Sequence, residues 1–162
     1  MKGKRSQLSR STLFHELQKH ISVLANLDRG EASFISCYLD LRQTTEACRT
    51  FLEKRLPAVR QGLRPEDLAD FEAASEQIRT GLQSFSGQAP GLALFACGER
   101  GRQFFLAVPL SVSVGNRLVY YPVPDVYPLV EVGERYGRFL LVFTSKNGMQ
   151  LLDVSTGMAS LQ

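Results

Sequence analysis

The chain has no tryptophan, two histidines and three cysteines in 162 residues. It also has no apolar run near the roughly 18 residues that a membrane-spanning helix needs. Cys37, Cys48 and Cys97 form no CxxC pair, and with only His15 and His20 beside them no zinc-ligand spacing exists, so metal chemistry is not expected. An odd number of cysteines, each among apolar neighbours, argues for buried free thiols in a reducing cytoplasm and against a secreted disulfide framework. No GxxxxGK[ST] and no GxGxxG precedes a helical pattern, so no nucleotide cofactor is expected either. His15 and His20 stand five apart, about 140° around a helix, and neither has a Ser, Cys or acid at nucleophile-and-base spacing. The chain as given reads as non-enzymatic.

What is present fits a folded domain: 44% hydrophobic and 22% charged residues, with a net charge of +3. The basic excess is N-terminal. Residues 1–30 carry six Lys or Arg against Glu16 and Asp28, and the other 132 residues sum to −1. Met1-Lys-Gly-Lys-Arg5 has no apolar segment behind it, which excludes a secretory signal. Residues 1–10 read as a basic, flexible, solvated tail, in preference to a presequence.

Leu13, Leu17, Ile21 and Leu24 recur at helical spacing behind Ser11 and Thr12, predicting a helix over 12–26. The run Phe34-Ile-Ser-Cys-Tyr-Leu-Asp-Leu41 predicts a strand, with Ile35, Cys37, Leu39 and Leu41 on one face. Cys48, Phe51, Leu52, Leu56, Val59 and Leu63 trace a helical stripe over 45–63, with a kink expected at Pro57. Pro65-Glu66-Asp67 has the form of a helix start, and Leu68, Phe71, Ile78, Leu82 and Phe85 continue it to 85. Residues 42–64 hold six bases and two acids, whereas 65–78 hold five acids and no base. The two helices are therefore expected to pair as an antiparallel hairpin, and their charge asymmetry has two readings, mutual complementarity or a basic face for RNA.

Beyond a Ser/Gly/Gln/Pro loop the period changes to that of strands. Gly91–Cys97 and Gln103–Pro109 flank a Gly98-Glu-Arg-Gly-Arg102 turn, predicting an antiparallel hairpin whose tip is either merely exposed or offers Arg100 and Arg102 to phosphate. Leu110–Val114 is a candidate further strand, Leu118–Tyr121 a short one, and Asp125–Tyr136 a short helix that Asp125 can cap. Tyr120 and Tyr121 beside Arg117 suit either packing or stacking on RNA bases. Arg138–Thr144 and Met149–Val154 join through Asn147-Gly148, a strong hairpin turn.

The fold class expected is α+β: a small, mainly antiparallel sheet covered by the long helical hairpin, with a C-terminal β-hairpin beginning a second domain. Ile35, Leu39, Phe51, Leu52, Leu56, Phe71, Ile78, Leu94, Phe105 and Val108 are expected to share one core. Asp40 is expected to pair with Arg42 or Arg49, not to act as a general acid. Arg49, Arg55, Arg60, Arg64, Arg100 and Arg102 are the candidate nucleic-acid contacts, made through phosphates and hence without sequence preference. Residues 138–154 are too apolar for a free tail. They are expected to be buried against the first domain or, in preference, against the same hairpin of a second copy in an isologous dimer.

Phe34–Arg42, the arginine-bearing helix after it, the acidic helix, Gly91–Cys97, Val108-Pro109-Leu110 and Pro128-Leu129-Val130 together resemble the N-terminal domain of bacterial relatives of the archaeal and eukaryotic class one release factor. That superfamily includes Pelota-type ribosome-rescue factors. Phe139–Gly157 resembles the opening hairpin of the family's RNase H-like central domain. The resemblance implies three parts: a tail over 1–10, the N-terminal domain over 11–136, and a truncated central domain over 137–162. It implies a translation factor that contacts a ribosome or peptidyl-tRNA, with ester hydrolysis promoted by a glutamine-bearing loop downstream of residue 162. No Gly-Gly-Gln occurs here, and the eukaryotic decoding motifs are absent, so neither catalysis nor stop-codon reading is carried over. The other class of function that suits this chain is a protein-interaction or oligomerisation domain with no nucleic-acid role.

Overall fold

A computed structural model describes residues 10–27, 33–98, 103–136, 138–145, 148–155 and 158–161, with side chains for 15–27, 33–98 and 103–134. The chain divides into two compact units. One runs from Leu24 to Asp125, and the other combines the N-terminal stretch as far as Val23 with the chain from Val126 onward.

The order of elements is α1 (Arg10–Ala25), β1 (Phe34–Asp40), α2 (Thr45–Arg60), a 3₁₀ turn (Pro65–Asp67), α3 (Leu68–Ser84), β2 (Gly91–Cys97), β3 (Phe104–Leu110), β4 (Arg117–Tyr121), α4 (Tyr127–Tyr136), β5 (Arg138–Ser145), β6 (Gly148–Ser155) and β7 (Met158–Leu161). The fold is α+β. In the unit from Leu24 to Asp125 the sheet order is β3-β2-β1-β4, antiparallel throughout. In the other unit β5, β6 and β7 form an antiparallel meander, so the expected hairpin carries a third strand.

β1 is a central strand and all seven of its residues are buried. Its apolar odd positions face the helices. Ile35, Cys37 and Leu39 join Leu92, Leu94, Ala96 and Leu118 from the neighbouring strands, and α2 adds Cys48, Leu52 and Leu56. The last three are spaced i, i+4, i+8, the helical row that meets a sheet. α3 contributes Phe71, Ala74, Ile78 and Leu82, three and then four apart, again along one helix face. α2 starts where Thr44 accepts the Ala47 N–H at 3.2 Å, a side-chain N-cap, and the helix runs on through Pro57.

Two glycines let α3 approach the sheet closely. A Cβ at Gly98 would overlap the Asp70 carbonyl, and one at Gly81 would run into the Phe105 ring. A mid-helix glycine ordinarily costs about 1 kcal/mol against alanine; here it makes room for that ring.

The structure corrects the expected core in two places. The β2–β3 register sets Val108 opposite Ala93, on the face turned away from α2 and α3. Phe105 is on the helix side but at the edge strand, where it remains 42% exposed. The face away from α2 and α3 is closed as well: Tyr38 meets Phe95 edge-on at 5.9 Å, and Phe34 meets Phe104 at 6.1 Å, with Cys97 and Leu27 beside them. Pro109 is tolerated in β3 because an edge strand has one unpaired side.

Leu110 ends β3, and 111–114 is not a further strand. The physical reason is topological, since the chain must cross there from one edge of the sheet to the other to begin β4. Nor does Asp125 cap α4. The Val126 carbonyl takes the Leu129 and Val130 N–H groups at 3.0 and 3.1 Å, and the Asp125 carboxylate faces Arg117.

Leu94→Ala, at a fully buried site, is expected to cost about 2–5 kcal/mol. Phe105→Ala should cost visibly less than Phe71→Ala, because Phe71 is 2% exposed and Phe105 is not enclosed. Urea unfolding of the three variants checks the order.

Candidate nucleic-acid interface

α2 buries one row and exposes the rest, so its arginines lie on the surface. What each guanidinium touches separates them. Arg60 donates from both Nε and Nη2 to Glu72 Oε1, at 3.0 and 2.9 Å, tying α2 to α3. Arg64 reaches Asp67 Oδ2 at 2.9 Å and Glu66 at 3.2 Å, across the turn between the helices. The complementarity reading of the charge asymmetry is therefore present as contacts. Such exposed pairs are weak, because water and salt screen them. Arg49 lies 3.7 Å from Glu46 one turn earlier.

Arg55 differs from these. Its Nε donates to the Leu118 carbonyl of β4 at 3.4 Å, and among the described residues no carboxylate pairs with it. Among the described residues Lys54 and Arg55 are the α2 cations without a carboxylate partner. Arg100 and Arg102 lie outside the described residues. Four of the six candidate arginines are thus placed on or just after α2, two with their charge spent on α3 or its lead-in turn, one weakly paired and one available.

Two polar clusters at the β1–β4 border were not anticipated in full. At the end of β1, Asp40 accepts from Arg42 Nε at 3.0 Å and Nη2 at 2.8 Å, the expected pairing. The Asp40 N–H donates to Asn116 Oδ1 at 2.7 Å, and Cys48 Sγ approaches the Asp40 carbonyl at 3.5 Å. The hydrogen bonds from Arg42 hold the Asp40 carboxyl below the usual carboxylate range, outweighing the opposing effect of its burial. In the second cluster, Tyr38 Oη donates to the Asp125 carbonyl at 2.5 Å and the Asp125 N–H donates to Ser36 Oγ at 2.9 Å. Arg117 Nη2 lies 2.8 Å from Asp125 Oδ2 in a charge contact not aligned as a hydrogen bond. The signal in the sequence was the alternation of Ser36, Tyr38 and Asp40 with buried apolar residues, because polar groups at strand-core positions require partners.

Tyr120 and Tyr121 differ in their surroundings. Tyr120 packs edge-on against Phe71 at 5.1 Å, and burial, with Asp67 nearby, pushes its phenol up to about 12, so it stays neutral. Tyr121 is 54% exposed. The three cysteines are buried free thiols, and burial raises Cys37 and Cys48. Among the described residues no group of three His, Cys, Asp or Glu side chains could hold a metal ion, and no helix is long and apolar enough to cross a membrane.

No protein-family model matches the chain, and no curated protein matches it in sequence. Solved structures do match in fold. One, described as an archaeal protein, superposes with a TM-score of 0.63 at 14% identity, over 92% of this chain and 44% of the other. Another is the archaeal translation termination factor aRF1, with a TM-score of 0.60 at 12% identity, over 91% of this chain and 43% of that one. The chain thus spans about two fifths of the length of the structures it matches, and the likeness is one of fold.

The Asp40–Arg42 pair has a pH signature. Because folding lowers the Asp40 pKa, its stabilising effect is complete above the unfolded carboxylate range and is lost as pH falls through about 4 and below. Asp40→Asn should therefore be less stable than wild type near neutral pH, and the gap should close in acid. Urea midpoints measured between about pH 2 and 6 check this.

Proposed function

We propose that residues 1–162 form a module of a release-factor or ribosome-rescue type of translation factor. It contacts the ribosome or peptidyl-tRNA through phosphates, acts in the cytoplasm, and performs no catalysis itself. The single observation that carries this reading is the fold likeness to the archaeal termination factor, which extends over 91% of this chain. The order of sequence patterns that resembles the release-factor family supports the same reading independently. In it, peptidyl-ester hydrolysis belongs to a part of the factor outside these residues.

Affinity would come from Arg49, Arg55, Arg60, Arg64, Arg100 and Arg102 by charge, so it should fall steeply with salt. Anisotropy with labelled RNA at low salt tests this. The wild type should bind, and a variant with these six arginines changed to Ser should lose most of the binding and flatten the salt dependence.

A second reading is a protein-interaction domain without a nucleic-acid role, favoured by the engagement of Arg60 and Arg64 with Glu72, Glu66 and Asp67. Equal, negligible binding of wild type and the six-Ser variant would select it. We further propose that residues 138–154 mediate a homodimer. β6 lies between β5 and β7, so the outer side of β5 is where a second copy would add. The full chain should sediment as a dimer and a chain lacking 138–162 as a monomer; a full chain that stays monomeric at high concentration refutes the dimer.

A further inference from the structure

β3 is an edge of its sheet, and among the described residues no strand pairs with its outer side. All seven of its side chains, Phe104-Phe-Leu-Ala-Val-Pro-Leu110, are apolar and uncharged. Pro109 stands opposite Leu92 and has no N–H to donate to β2, so its backbone belongs to the set turned outward. By alternation the N–H and C=O groups of Phe105 and Ala107 are turned outward with it. Phe105 is 42% exposed, its ring beside Gly81 of α3. The opposite edge of the sheet is protected. β4 has five residues, carries the charge of Arg117, and has its Leu118 carbonyl taken by Arg55 at 3.4 Å. Shortness, charge and cover are the means by which sheet edges refuse a further strand. On β3 the one such device is Pro109 near its end, and Phe104 to Val108 have none.

The homodimer through residues 138–154 presents a strand that matches this edge. β5 is an outer strand of its own sheet, and among the described residues it pairs with β6 alone. It has eight residues against seven in β3, and its one charge, Arg138, stands at its first position. Phe139 to Phe143 are apolar at every position, so either parity of pairing sets an apolar residue beside Phe105. Neither strand brings a charge to repel the other along this stretch. An open strand edge is satisfied by backbone N–H and C=O groups in ladder register, which an extended polypeptide supplies and a nucleic acid does not.

We propose that β5 of a second copy adds to the outer side of β3, continuing the four-stranded sheet from one chain into the other. This rests on the homodimer reading above and names the surface that receives the hairpin. Pairing β5 with β5 of the second copy would leave the uncharged β3 edge open in both chains. Made in both directions, the exchange covers β3 and β5 of each copy and closes the assembly at two chains.

The test uses the full chain, whose wild type should sediment as a dimer. Ala107→Pro removes one outward N–H and leaves the β2 ladder intact, and Phe105→Lys places a charge on the edge. Each should raise the dimer dissociation constant about tenfold or more. Tyr121→Lys, which puts the same charge on the β4 edge, should dimerise as wild type does. Cross-linking reads the contact without weakening the edge, since the native thiols Cys37, Cys48 and Cys97 are buried. Phe105→Cys chains are mixed under mild oxidation with chains carrying Phe139→Cys, Leu140→Cys, Leu141→Cys, Val142→Cys or Phe143→Cys, one at a time. A disulfide between unlike chains should form at one or two of these positions. A dimer that ignores Ala107→Pro and Phe105→Lys but is lost on removal of 138–162 would overturn this inference and leave the homodimer standing. Disulfides between two β5 cysteines in place of mixed ones would overturn it in favour of β5 pairing with itself. A full chain that stays monomeric at high concentration would bring down the homodimer and this inference together.

Discussion

Both faces of β1 are closed, and the rest of the larger unit is arranged around that constraint. A strand with one wet face can keep its polar side chains in water, but Ser36, Tyr38 and Asp40 have no such outlet. Each must find its partners inside the fold, because an unpaired buried polar group costs about 1–3 kcal/mol. For Ser36 and Tyr38 the partner is the Asp125 backbone beyond β4, and for the Asp40 carboxylate it is Arg42 two residues on, with Asn116 before β4 taking the Asp40 N–H. The short fourth strand is thus both an extension of the sheet and, through the residues that flank it, a source of groups that make the central strand's burial affordable.

The same constraint separates what was legible in the sequence from what was not. Cys48, Leu52 and Leu56 declare a helix face by local spacing, and Ile35, Cys37 and Leu39 declare a strand face, since both periods are set within a few residues. The α2–α3 hairpin was readable from charge as a class of contact, although Arg60–Glu72 could not be singled out. The match between Asp40 and Asn116 spans 76 positions and that between Ser36 and Asp125 spans 89. Register decides such pairs, and no local pattern encodes register. The expectation that Val108 shares a layer with Phe105 fails for a local reason instead, because the two stand three apart on one strand and alternation puts them on opposite faces.

At the candidate interface, the count of arginines is a poor guide to available charge. Arg60 and Arg64 look equivalent to Arg55 in sequence, yet Glu72, Glu66 and Asp67 occupy them in the fold. Arg55 instead donates to the Leu118 carbonyl on the β4 edge, and further along that strand Tyr120 is committed to Phe71 while Tyr121 is half exposed. Adjacent residues on an edge strand thus take opposite fates, one ring cementing the helix layer and the next left in solvent.

The placement of the thiols gives each layer of the larger unit its own internal marker. Cys37 and Cys48 belong to the core beneath α2 and α3, whereas Cys97 packs with Phe34 on the other side of the sheet. A thiol reagent can reach the first two only when the helical hairpin lifts, and the third only when the opposite layer parts. The order in which they become labelled under native conditions is therefore a record of which layer opens first.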